Sequence, residues 1–192
     1  VAERSPKLVE DLVPEKLSLA TITKVLQNIL DESVSVRDMR TIIEVLATES
    51  SRTQDVDELT AAVRPKLGRM IVQGLVDVDD NLPVMTLNPA LEQMLNNILQ
   101  QNGSTQGLVI EPKLAESLIS ALAKNTREIE DQGSAAVLFV SPCMRPWLSN
   151  FIRHRLSDLT VLSYREIPDD QAVDGVATID VDTNEQLFIG RK

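Results

Sequence analysis

One histidine and one cysteine are all that this chain of 192 residues has of the side chains most used in nucleophilic and metal chemistry. A lone cysteine forms no internal disulfide, and Cys143 reads as a small buried hydrophobe in a reducing compartment. A nucleophile and base pair would have to use His154. The pattern predicts one helix from Ser141 and Pro142 to His154 or Arg155. A rise of about 1.5 Å per residue then sets Cys143 and His154 roughly 16 Å apart, too far for a dyad. One His and one Cys cannot build a structural zinc site. Asp77, Asp79 and Asp80 lack the glycine and distal glutamate of a calcium loop, and Gly103 to Gly107 lacks the Lys and Ser or Thr of a phosphate-binding loop. Glu166, Asp169 and Asp170 fall in an Ile-Pro turn that reads as solvated. No catalytic, cofactor-binding or metal-binding residue is assigned, and the chain is not expected to be an enzyme.

Aromatic residues are scarce, at 3%, so stacking platforms for bases or sugars are poorly supplied. No apolar run reaches the roughly 18 to 20 residues of a membrane-spanning helix, and the N-terminus has no signal-peptide pattern. Because the first residue is Val1, the sequence is expected to be a piece of a longer protein, with any membrane anchor outside it. Basic residues are outnumbered 19 to 29, giving a net charge of -10. That field disfavours nucleic acid and anionic lipid. Arg64, Lys66 and Arg69 would suit a nucleic-acid-binding winged helix, but the acidic residues Asp55, Asp57 and Glu58 open the same segment.

What is present is apolar periodicity. Leu19, Ile22, Val25, Leu26, Ile29 and Leu30 mark an amphipathic helix with Ser18 as its cap. Val36, Met39, Ile42, Ile43 and Leu46 mark a second, with Ser35 and Asp38 as a capping-box-like start. A third is expected from Asp57 to about Val72, kinked near Arg64 because Pro65 removes a backbone donor. Apolar stretches around Leu75 and from Pro83 to Leu87, separated by turn formers, suggest a hairpin. Three helices and a hairpin make a winged-helix-like first subdomain.

Asn88 and Pro89 then cap and start a helix, and Pro112 starts a longer one that stops at Gly133. A strand at 135–140, a helix and a strand at 159–164 predict a right-handed crossover with parallel strands. Residues 176–181 and 186–189 could add strands. The expected fold is therefore α+β: a lead-in at 1–16, a helical winged-helix-like subdomain at 17–87, and a small α/β subdomain at 88–192 with a strand-helix-strand unit and a C-terminal tail.

Pro6 to Leu46, with its core Val36-Arg37-Asp38-Met39-Arg40-Thr41-Ile42, resembles the C-terminal cytoplasmic region of the flagellar FlhA family of type III export gate proteins. So do Asp57-Glu58-Leu59-Thr60, Val63-Arg64, Leu67-Gly68-Arg69, Leu87-Asn88-Pro89-Ala90-Leu91-Glu92, Ser141-Pro142 with Arg145-Pro146, and Leu162-Ser163-Tyr164-Arg165-Glu166-Ile167-Pro168. Injectisome relatives share the Arg-x-x-Arg-Thr-Ile core, whereas the Leu-Val-Glu-Asp-Leu-Val-Pro opening is more flagellar. The resemblance implies the cytoplasmic region of a bacterial inner-membrane protein that forms a nonameric ring. It also implies docking of export chaperones, cargo, soluble export proteins and other gate proteins, with no nucleic acid. The residues themselves nominate Arg37, Asp38 and Arg40, whose charges flank the apolar stripe of the second helix, as a subdomain or subunit contact.

Overall fold

The structure, a computed structural model, describes residues 17–77, 80–102 and 110–181. They form two compact units. The first runs through the helices up to residue 77 and takes in Arg165–Gln171, and the second holds the described residues of 80–164 and 172–181.

The first unit opens with α1 (Leu19–Asp31), whose first turn is closed by Ser18 Oγ accepting from the Thr21 amide at 3.1 Å. Ile22, Val25 and Ile29 face inward. Its far end curls through Ser33 at φ 58°, where the Ser33 and Val34 amides return to the carbonyls of Leu30 and Ile29. That is the left-handed helix stop usually given to glycine. Helix α2 (Met39–Glu49) begins three residues later than the pattern suggested. Asp38 is itself the cap, accepting from the Thr41 amide and hydroxyl at 3.2 and 2.7 Å, while Ser35 only turns the chain at the Arg37 amide.

Helix α3 (Val56–Val63) is capped by Asp55, which accepts from the Asp57 and Glu58 amides. Pro65 acts as expected: the chain tightens into a 3-10 turn at Arg64–Leu67 and restarts as α4 (Gly68–Gln73). Val25, Ile29, Ile42, Leu46, Leu59, Val63 and Leu67 are all sealed from solvent and form the apolar interior of these helices.

The second unit is built on a four-stranded parallel sheet in the order β3-β2-β1-β4. Its strands are β1 (Leu82–Leu87), β2 (Val137–Val140), β3 (Thr160–Ser163) and β4 (Val173–Ile179). Between β1 and β2 run α5 (Pro89–Asn102) and α6 (Pro112–Glu130), and α7 (Arg145–Ile152) links β2 to β3. The predicted strand-helix-strand crossover is thus present, with Leu138 opposite Val161. Gly133, at φ +82°, ends the turn after α6 as anticipated. Leu91, Leu95, Leu118, Leu122, Leu138, Leu148 and Trp147 pack into one core, and Trp147 stacks on Phe151 at 5.4 Å.

The hairpin expected at Leu75 to Leu87 does not form. Leu82–Leu87 instead lies inside the parallel sheet, hydrogen-bonded to β2 on one side and β4 on the other. Both of its faces are buried, Leu82 and Val84 on one and Met85 and Leu87 on the other, as a central parallel strand requires. The expected strand at 186–189 lies outside the described residues.

Candidate functional site

The strongest concentration of charge chemistry is in the first unit, where the Pro65 kink aims Arg64 into the interior. Arg64 is 1% exposed. Its Nε donates to Glu166 Oε1 at 2.9 Å and its Nη2 to Oε2 at 3.4 Å, a forked pairing that suits a planar guanidinium. On the other side Nη1 lies 3.0 Å from Glu32 Oε2, an ion pair without the direction of a hydrogen bond. One cation thus lies between two carboxylates. Glu166 is 3% exposed, which corrects the expectation of a solvated turn. Gly68 lets this approach happen, since a Cβ there would collide with the Glu166 carbonyl oxygen.

One turn further on, Arg69 Nη2 reaches both oxygens of Asp170, at 2.9 and 3.0 Å. This pair is exposed, and the Arg69 hydrogen bond is the main cause that lowers the Asp170 pKa below its ordinary value. Arg165–Gln171 is therefore seated on the helices by an inner buried pair and an outer solvated one. The segments Val63-Arg64, Leu67-Gly68-Arg69 and Arg165-Glu166-Ile167-Pro168, separate in sequence, converge here. Arg64 and Arg69, two of the three basic residues in 64–69, are occupied by carboxylates.

The nominated cluster is arranged differently. Asp38 is consumed by capping α2, and Arg40 pairs with Glu44 one turn along at 2.8 Å. That hydrogen bond, reinforced by the Glu44 charge, raises the Arg40 pKa. Arg37 is exposed. These residues lie at the start of α2, and among the described residues the ion pair of Arg40 is with Glu44 of the same helix.

In the second unit, an open parallel sheet presents its polar groups at the carboxyl ends of the strands, where the strand order reverses. Here that place lies between β1 and β4. Asn88 Nδ2 donates to Asp180 Oδ2 at 3.0 Å, and its Oδ1 accepts from the Ala90 amide. Beside β2, the Ser141 amide donates to Glu92. Arg145, 3% exposed, sends Nε to the Val161 carbonyl and steadies β3. Cys143 is exposed, not buried as expected, with its Sγ 3.4 Å from Asn96 Oδ1. Cys143 precedes α7 and the exposed His154 follows it, so the observed helix is shorter than the one predicted and carries neither residue. Among the described residues no group of three His, Cys, Asp or Glu is placed to hold a metal ion, and no helix is long and apolar enough to cross a membrane.

These converging segments are among those that carry the family resemblance, and comparison with known proteins agrees. The model of the FHIPEP family matches residues 1–172. The chain belongs to the FHIPEP family. It is 43% identical over 179 residues to the flagellar biosynthesis protein FlhA of Escherichia coli K12, covering 93% of this chain and 25% of that protein. The chain thus spans about a quarter of the FHIPEP relatives it matches. Among solved structures it is similar to the nonameric EscV cytosolic domain of the type III secretion system, with a TM-score of 0.75 at 27% identity over 93% of this chain and 52% of that one. It is also similar to the Chlamydia pneumoniae CdsV protein in its complex with CdsO, with a TM-score of 0.82 at 25% identity, covering 93% of this chain and 51% of that one. The FHIPEP assignment and the mixed helix-and-sheet fold therefore stand together.

Proposed function

We propose that this region is a cytoplasmic scaffold of a flagellar type III export gate, which builds a homo-oligomeric ring and docks export chaperones, their cargo and soluble export proteins. The observation that supports it is the match of 93% of the chain to the EscV cytosolic domain, itself nonameric. The CdsV complex with CdsO adds support for a protein partner. Identity to FlhA favours the flagellar over the injectisome form. In this reading the two units are successive subdomains of the scaffold, the protein's membrane part lies elsewhere in it, and the Arg37, Asp38 and Arg40 cluster is a contact surface.

The experiment is retention of flagellar export chaperones, alone and loaded with cargo, and of soluble export proteins on the immobilised chain at physiological salt. Micromolar retention, about -8 kcal/mol of binding free energy, supports docking within these two units. Absence of retention for every candidate would move docking out of this region and leave only ring building to it.

A further inference from the structure

The sheet of the second unit has two edges, and they are protected unequally. Strand β3 is only four residues long, with Val161, Leu162 and Ser163 buried. Strand β4 is seven residues long and exposed over residues 173–176, with β1 on one side and, among the described residues, no strand on the other. Its two halves differ. Val84 pairs with Gly175 and Met85 with Ala177, so Val176 is an extra residue, and this irregularity makes the first half a poor template for a further strand. Residues 177–179 keep a regular register with β1. There the Ile179 carbonyl accepts from the Asn88 amide at 2.7 Å, so Ile179 turns its backbone groups toward β1 and Thr178 turns its N–H and C=O outward.

We infer that this outer edge is a strand-docking site and that its occupant is the chain's own segment 186–189, returning antiparallel along β4. The chain is anchored where the return begins. Val181 is buried and its amide donates to Asp180 Oδ1, while Asp180 Oδ2 accepts from Asn88 Nδ2 at 3.0 Å. Next come Asp182-Thr183-Asn184-Glu185, which include the turn formers Asp and Asn in a loop of a length that joins antiparallel strands. A turn there brings the apolar Leu187-Phe188-Ile189 back to the regular half of β4, and the basic Arg191-Lys192 toward the exposed Asp174. Backbone hydrogen bonds to the outward groups supply the affinity of such an added strand. A second copy is the poorer occupant. The tether holds the chain's own segment at roughly millimolar effective concentration. Two chains that each carry a net charge of -10 repel one another, whereas the returning segment ends in cations.

The test is amide hydrogen exchange read residue by residue in the whole chain, comparing wild type with Phe188→Pro, which removes a backbone donor from the returning segment, and with deletion of residues 182–192. The Leu82 and Asn88 amides, which donate to the Ala172 and Ile179 carbonyls of β4, report whether the sheet itself is intact. The expected result is a Thr178 amide that exchanges at least tenfold faster in both variants than in wild type, with Leu82 and Asn88 still protected and no dependence on chain concentration. Equal Thr178 exchange in all three chains, whether fast or slow, would overturn the inference. Protection that grows with chain concentration would overturn it in favour of a second copy. Loss of Leu82 and Asn88 protection in both variants would overturn it as well, because the segment would then belong to the folding core rather than occupy an edge.

Discussion

Arg64 and Glu166 lie 102 residues apart in sequence and meet in the interior, Nε to Oε1 at 2.9 Å. Both are nearly sealed from solvent. A pair of this kind contributes less through its own attraction than through what its loss would expose. Arg64→Ala takes away the guanidinium that Glu166 and Glu32 share, and Glu166→Gln leaves a buried cation whose remaining charged partner is Glu32. Each is expected to lower stability by about 3–5 kcal/mol in urea unfolding of the whole chain. The double variant Arg64→Met/Glu166→Leu should cost less than the sum of the single losses, since it removes both charges together. Additive losses would show that the two side chains do not act as a pair.

Gly68→Ala offers a separate test. Helix propensity alone favours alanine by about 1 kcal/mol. The added methyl group meets the Glu166 backbone, which cannot rotate away as a side chain could. The clash is expected to win, with a net loss of about 1–3 kcal/mol. Gly74→Ala meets the Ile71 carbonyl at a less severe 3.3 Å and serves as the control, expected to shift the urea midpoint much less.

Ser33 holds a left-handed conformation at φ 58° with only a short polar side chain to ease it. Ser33→Gly should raise stability by about 0.5–1 kcal/mol, part of the relief of strain being offset by greater freedom in the unfolded chain. Ser33→Val should do the reverse. Equal midpoints for all three residues would refute the strain argument.

Asp170 gives a pH signature. Its pKa is lowered in the folded chain, chiefly by the Arg69 hydrogen bond, from an ordinary value of 3.8. The folded state therefore holds the ionised form more firmly than the unfolded state does. The stabilisation is present above about pH 4 and is lost as the pH falls through the folded value. The stability difference between wild type and Asp170→Asn is expected to hold above about pH 4 and to shrink as the pH falls below it. It should also shrink in high salt, because the pair is exposed. A difference independent of both pH and salt would sink this account.

Much of the local structure was legible because its causes are local. Ser18 as a cap, Pro65 as a kink and Gly133 as a stop each act through a neighbouring backbone group. The crossover from β2 to β3 followed from spacing and handedness. The sequence pattern of strand β1 points to a hairpin because a short apolar stretch after turn formers looks the same whether its partner is adjacent in sequence or, as here, about 50 to 90 residues away. Glu166 was read as solvated for a similar reason. Nothing near it in sequence announces a partner, since Arg64 lies 102 residues away. Asp38 was read as the second member of a capping box when it is the cap itself.

The first unit is discontinuous, and this sets an order on its biosynthesis. At a synthesis rate of about 5–20 residues per second, Arg64 waits roughly 5 to 20 seconds for Glu166 to be made. During that time the nascent helices carry a cation meant for their interior together with Glu32 alone. The helical unit, although it comes first in the chain, is finished late, after three of the four sheet strands have left the ribosome's active centre.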